Sequence, residues 1–322
     1  YVHSNRKGDV MLKYVLKRLG YILVTLWVIV TCTFFMMKNL PGTPFDAERF
    51  SIMTPQQQER VLEMYGLNDS LPMQYVKYIK NMLKGDLGTS FTYVNQDVSK
   101  VITGRLGPSA LIGIQAVLIG LAIGLILGIL AAWKHNSGID YFTMILAVLG
   151  VSVPNFVAAA LLQYYIGLKW GVLPVGFWTG WNCSVLPSIG LSFSATAMVA
   201  RFMRTEMLDV LDQDYIVTAR AKGLSQMKVL MRHAVRNSIL PVVTILGPIV
   251  VNLMTGSLAV ENIFSIPGIG SLFVDCIKAN DYPVIMGITI FYAAFYMLIV
   301  LLVDLPYSLI DPRIRLAKGK ES

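Results

Sequence analysis

The run GPSALIGIQAVLIGLAIGLILGILAAW, Gly107–Trp133, contains no charged side chain. An apolar helix needs about 20 residues to cross ~30 Å of hydrocarbon, and this run is long enough. Working outward from it, five further stretches lack charge: 19–37, 141–168, 170–200, 237–260 and 282–303. They predict six transmembrane helices, at 14–37, 107–133, 140–168, 184–205, 238–260 and 282–306. The segment 170–183 holds four glycine or proline turn residues at 171, 174, 176 and 180, together with Trp170, Trp178 and Trp181. It reads as an interfacial loop, because tryptophan favours the headgroup level. The spans are too long for strands of a membrane barrel and lack strict alternation. The class is an all-α, polytopic membrane protein.

Composition agrees. Hydrophobic residues make up 55% of the 322 and charged residues only 14%, against about 25% charged in soluble proteins. This excludes a disordered chain. The formal net charge of +8 is bunched. With six spans both termini lie on one side, and that side holds Arg6, Lys7, Lys13, Lys17, Arg18, Lys134, the block from Arg201 to Arg236, and Arg313, Arg315, Lys318 and Lys320. The short loops opposite hold Lys169 and Lys278. Short cytoplasmic loops attract Lys and Arg, so both termini are expected to be cytoplasmic. The charge reads as a topology signal and as attraction to anionic lipid, not as a nucleic-acid footprint. The loop 38–106 carries eight basic and seven acidic residues. It either docks a partner outside the membrane or braces the helix ends. Residues 1–10 precede Met11, are polar, and read as a leader or non-native segment.

The chain lacks a Walker A sequence, HExxH and GxSxG, so no catalytic, cofactor or metal residues are expected. Cys32, Cys183 and Cys276 fit no metal spacing. No acid lies near the centre of a span; Asp140, Glu261 and Asp304 sit near the ends. That disfavours a proton-coupled peptide carrier, which needs an intramembrane relay. Gly120, Gly124 and Gly128 fall on one helix face, which predicts close packing against another helix. Pro154 predicts a kink in the third span. Gln115, Asn155, Gln163 and Asn252 are polar near membrane depth. They are candidates for the transport pathway, and interhelical hydrogen bonding explains them equally well.

Between spans four and five the chain reads Asp214-Tyr-Ile-Val-Thr-Ala-Arg-Ala-Lys-Gly223-Leu-Ser-Gln-Met-Lys-Val-Leu-Met-Arg-His-Ala-Val-Arg-Asn237. The pattern predicts two short amphipathic helices, the first over about 208–222. Gly223 is placed to end it in the left-handed conformation, and Ser225 to cap the second. Met227, Leu230, Met231 and Ala234 form an apolar stripe opposite Lys228, Arg232 and Arg236. Such a hairpin suits docking against a cytoplasmic partner or lying on anionic lipid.

The stretch Thr218-Ala-Arg-Ala-Lys-Gly-Leu224, followed by Arg232-His-Ala-Val-Arg-Asn237 and Leu240-Pro241, resembles the EAA loop of ATP-binding-cassette importer permeases. It is similar to the peptide and nickel branch, and most like the B-type permease subunit of an oligopeptide transporter. The generic Glu-Ala-Ala is replaced by Val217-Thr218-Ala219. Tyr65–Pro72, Lys84–Ser90, Val260–Gly270, Asp281-Tyr282-Pro283 and Asp311–Arg315 extend the likeness over nearly all of the chain after Met11.

The resemblance implies a type I importer permease fold in a bacterial cytoplasmic membrane. It implies a first helix at 11–37, an outer loop at 38–106, a five-helix core at 107–306 with its coupling loop at 206–237, and a tail at 307–322. It implies a second homologous permease, two cytoplasmic ATPase subunits that bind ATP and Mg²⁺, and an extracytoplasmic binding protein that delivers peptide. Thr218, Ala219, Arg220, Ala221, Lys222, Gly223 and Leu224 would form the coupling helix seated in an ATPase. Dipeptide, glutathione or nickel permeases of the same family are the alternatives.

Overall fold

The computed structural model describes residues 2–39, 50, 52–64, 66–93 and 96–310, with side chains from Lys17 onward except at 64, 252, 254–256 and 303–310. Most of the expected tail at 307–322, with its Asp311–Arg315 stretch, lies outside these residues. The described residues are helical apart from turns, loops and a single bridge between Thr89 and Asp97. In chain order the helices are α1 (Val2–Lys38), α2 (Pro55–Met64), α3 (Leu71–Met82), α4 (Val98–Trp133), α5 (Gly138–Ser152), α6 (Asn155–Leu162), α7 (Val185–Leu211), α8 (Asp214–Ala221), α9 (Gln226–Val229), α10 (Arg236–Thr244), α11 (Leu246–Ile263), α12 (Ile269–Lys278) and α13 (Tyr282–Ile310). Widened π turns follow α6 at Gln163–Lys169 and α9 at Leu230–Val235.

Four stretches are unbroken, long and apolar enough to cross a membrane: Lys17–Lys38, Val98–Trp133, Trp181–Leu211 and Tyr282–Leu302. They match predicted spans one, two, four and six. The third span, predicted to be kinked, is instead broken, with α5 and the stretch Asn155–Lys169 bent by 101°. The cause is local. The ring of a proline disfavours the helical region for the preceding residue, and Val153 is extended at φ −84°, ψ 120°. The fifth predicted span, 238–260, is not one of the stretches long and apolar enough to cross a membrane among the described residues; it is divided at Ile245 into α10 and α11. Pro248 has no N–H to give the Thr244 carbonyl, and its ring crowds that group.

The chain divides into two compact units. The larger comprises 107–271 with 299–322. Its centre is α7, which has 67% of its most apolar window buried, whereas α1 has 11%. The glycine face of α4 packs on it. A Cβ at Gly124 would stand 2.7 Å from Val199 Cβ and 2.8 Å from the Thr196 carbonyl oxygen. Gly120 and Gly128 meet Ala195 and the Ala200 carbonyl in the same way. From α5, Gly150 abuts Ala197, and on α7 itself Gly190 admits Ala159 of α6. Leu191, Val199, Met203 and Met207 of α7 lie in the resulting core with Ile112, Leu253 and Phe264. The loop after α6 is fixed to the end of α11 by the Phe177 N–H donating to the Phe264 carbonyl at 2.8 Å. Its Trp170 and Trp181 are exposed, as expected of interfacial anchors, whereas Trp178 packs against the core.

The smaller unit comprises 1–106 with 272–298. Here the outer loop braces helices. The Thr31 and Tyr75 hydroxyls bond at 2.7 Å, and Phe34 meets the Tyr75 ring edge-on at 5.4 Å. Gly287 lets α13 approach Val98 and Ile102. The fully buried Asp281 accepts from the Ser90 hydroxyl and from the Phe91 and Thr92 N–H groups at 3.2 and 3.0 Å. This supports the bracing role considered for the loop.

Two outcomes are expected. Gly124→Leu forces α4 off α7 and should destabilise the core by at least about 1–3 kcal/mol, read as a lower midpoint of thermal unfolding in detergent. Cys276 and Cys183 are buried and unpaired. Burial, aided by nearby Asp281 and Asp275, pushes the Cys276 thiol up to about 12. Because the thiolate is the reactive form, a membrane-permeant maleimide at pH 8 should spare Cys276 until the protein is denatured. Rapid labelling of Cys276 in the folded protein would contradict this packing.

Candidate functional site

The hairpin after α7 is built from local rules. Leu211 ends α7, and α8 follows after Asp212-Gln213. The first helix of the hairpin is thus shorter than the predicted 208–222, because α7 itself continues to Leu211. Gly223 has φ +74°, the left-handed conformation expected of it. Its N–H donates to the Arg220 carbonyl at 2.9 Å and that of Leu224 to the Ala219 carbonyl at 3.4 Å. These are the paired bonds of a Schellman C-cap. Ser225 occupies the N-cap of α9, and no side-chain capping bond forms. Leu224 folds back onto Ile216, Ala219 and Val229, which form a small buried cluster. Val210 and Leu211 of α7 pack both on that cluster and on the main core. The hairpin is therefore continuous in packing with α7.

Further ties join its two arms. Asn237 Nδ2 donates to the Tyr215 hydroxyl at 2.9 Å, and Ser238 Oγ to the Glu206 carbonyl at 3.2 Å. The predicted stripe is altered by the π turn. Leu230 and Ala234 are buried, whereas Met227 and Met231 are exposed. A π turn adds a residue to the hydrogen-bonded ring, which rotates the helix face out of a regular three-four spacing.

The outer surface of the hairpin is a mixed patch. Thr218, Arg220, Ala221, Lys222 and Gly223 are exposed, Leu224 is half-buried and Ala219 is buried. Val217, Tyr215, Met227 and Met231 add exposed apolar surface that the motif did not single out. Arg220, Lys222 and Lys228 are exposed alongside these apolar residues.

The four polar residues proposed for the pathway lie apart in role. Gln115 accepts from the Ser188 hydroxyl at 2.8 Å, tying α4 to α7. Gln163 donates to the Val175 and Ile263 carbonyls at 2.6 and 2.8 Å. Asn155 stands at the break before α6, and its buried Oδ1 has no partner among the described residues. The Asn252 side chain lies outside the described residues.

Two buried acids of the larger unit escaped a functional reading because their partners are remote in sequence. Glu261 accepts from Ser109 Oγ at 2.7 Å and from the Gly270 and Ser271 N–H groups at 2.8 and 3.1 Å. Those N–H groups are first-turn donors of α12, which have no partner within the helix. Asp140, in the first turn of α5, accepts two bonds from Arg204 of α7: Nε to Oδ1 at 2.5 Å and a terminal nitrogen to Oδ2 at 2.8 Å. The Asn136 N–H donates to the same Oδ2 at 3.0 Å, and His135 Nδ1 lies 3.1 Å from it.

Comparison with known proteins gives this geometry its context. Residues 124–316 match the family described as binding-protein-dependent transport system inner membrane component, and residues 11–108 its N-terminal membrane component. The chain is 46% identical to the dipeptide transport system permease protein DppB of Lactococcus lactis, over 95% of this chain and all of that one. It is 42% identical to DppB of Bacillus subtilis, over 96% of this chain and 99% of that one. It is 39% identical to the oligopeptide transport system permease protein OppB of Haemophilus influenzae, over 95% of this chain and all of that one. A solved amino acid ABC transporter chain shares the fold at 18% identity and a TM-score of 0.50, covering 67% of this chain and 94% of that one. With the family match spanning more than half its length and these relatives covering nearly all of it, the chain belongs to the inner membrane permeases of binding-protein-dependent transport systems.

Proposed function

We propose that this chain forms half of the pathway of an importer of short peptides, with a second, homologous permease forming the other half. Dipeptide and oligopeptide permeases, at 46% and 39% identity over nearly the whole chain, bracket the substrate class. Two cytoplasmic ATPase subunits hold ATP and Mg²⁺, and this chain holds neither. An extracytoplasmic binding protein delivers the peptide in a bacterial cytoplasmic membrane, with both termini of the permease in the cytoplasm.

The observation that carries this reading is the hairpin around Thr218–Leu224. It exposes Val217, Arg220 and Lys222, and it shares Val210 and Leu211 with the core of α7. Seated in an ATPase cleft, it moves with that subunit as a rigid piece. Its displacement then reaches the spanning helices and switches the pathway between inward and outward openings. The apolar residues make the contact, and Arg220 and Lys222 pair with acids at its edge. Gln115, Asn155, Gln163 and Asn252 remain the residues proposed to border the pathway.

Purified with its partners and reconstituted, the transporter should take up labelled di- and oligopeptides only with ATP and the binding protein. Gly223→Asp places a side chain and a charge at φ +74° in the proposed contact. It should lower uptake about tenfold or more and abolish stimulation of ATP hydrolysis by peptide-loaded binding protein. Unchanged uptake would remove the hairpin from the coupling step. For orientation, Ser225→Cys in a cysteine-free chain should react with an impermeant maleimide only after the membrane is permeabilised. Reaction on intact cells would invert the topology.

A further inference from the structure

We infer that the buried Asp140–Arg204 pair is a transmission latch, which makes the broken span α5–α6 follow α7 when the coupling hairpin moves. The inference rests on the transport reading above and adds positioning residues to it.

The two side chains come from helices whose contributing residues are 64 positions apart. The Asp140 carboxylate is only 2% exposed, and Arg204 meets it with both Nε and a terminal nitrogen. Such a fork fixes distance and orientation together, which a point charge or an apolar contact does not. The Asn136 N–H supplies a third bond, so the carboxylate is also locked to the turn before α5. Breaking a buried pair leaves an unpaired charge, so the contact resists sliding.

Its position gives it a mechanical role. Arg204 lies seven residues before the end of α7 at Leu211, about 10 Å at 1.5 Å per residue. The hairpin begins there, joined to α7 through Val210 and Leu211. Asp140 lies at the opposite end of α5 from the break at Val153-Pro154. Beyond the break, Gly190 of α7 holds α6 at Ala159, and before it Ala197 holds α5 at Gly150. Those contacts are packed and non-directional, whereas the latch is directional. Displacement of α7 is therefore delivered to the start of α5, and α5 and α6 change their mutual angle at the one place where backbone hydrogen bonding is interrupted.

The test is the ratio of peptide taken up to ATP hydrolysed by the whole transporter in proteoliposomes. Asp140→Asn removes the charge and keeps the shape. The double replacement Asp140→Leu with Arg204→Met fills the site with apolar groups, which commonly preserves or raises stability. Both variants should assemble, and both should hydrolyse ATP within about twofold of the wild type. Each should lose about tenfold in uptake per ATP. A wild-type ratio in the double variant would show that the pair only fills space and would overturn the inference. So would parallel loss of hydrolysis and uptake, or failure of both variants to assemble, since the pair would then serve folding alone. Absence of ATP-driven uptake in the wild type would fault the transport reading itself, whereas wild-type uptake with an unaltered double variant faults the latch alone.

Discussion

The architecture of the larger unit depends on how closely backbones can approach α7. In hydrocarbon there is little hydrophobic drive to bring helices together, so van der Waals contact and a few polar bonds decide packing. Glycines on α4 and α5, and Gly190 on α7, bring neighbouring helices within contact of its backbone. Once α4 sits against Ala195, Val199 and Ala200, the place left for α5 and α6 is the remaining face. A side chain at any of these glycines would have to displace a backbone carbonyl or a β-carbon, not the flexible end of a side chain. The apolar residues of α4, α5 and α6 that point away from α7, among them Ile114, Phe142 and Leu161, stay exposed. In a membrane protein they face lipid or another subunit.

Among the four long described spans, the one containing α7 is the most enclosed, so in the proposed cycle anything attached to it moves the others. The hairpin is attached by shared packing, and the stem residues Val210 and Leu211 belong to two clusters at once. The Schellman turn at Gly223 closes the hairpin without help from a partner. A preformed element of this kind loses little conformational entropy on docking, which suits the coupling role proposed for it.

Much of this was legible in the sequence, for identifiable reasons. Charge-free runs locate spans because burying an unpaired charge in lipid is costly, and that logic needs no partner. The four-residue spacing of Gly120, Gly124 and Gly128 announced a close helix contact, and the Gly223 turn follows from local sterics. What escaped needed tertiary information. Pro154 favours an interruption, but whether the result is a bend of 20° or of 101° is set by what α5 and α6 each find on α7. Pro248 lies three residues into α11, and its effect on Thr244 is felt on the other side of the break. The stripe through Met227 and Met231 failed because a π turn changes the period, and no residue pattern marks one.

The buried acids show the same limit from the electrostatic side. Asp140 and Glu261 were visible as charges near span ends, and Asp281 only as part of the stretch Asp281-Tyr282-Pro283. The most remote donor of each lies 64, 152 and about 190 residues away. A carboxylate taken out of water needs several hydrogen bonds. Glu261 finds them at the first turn of α12, where unpaired N–H groups and the helix dipole favour negative charge. Asp281 gathers N–H groups from the turn at 91–92. Asp140 alone is held by an arginine. Glu261 and Asp281 each accept from a serine hydroxyl and from two backbone N–H groups. Asp140 instead joins a helix start to a long side chain on the helix that carries the hairpin, and the proposed latch rests on that difference in partner.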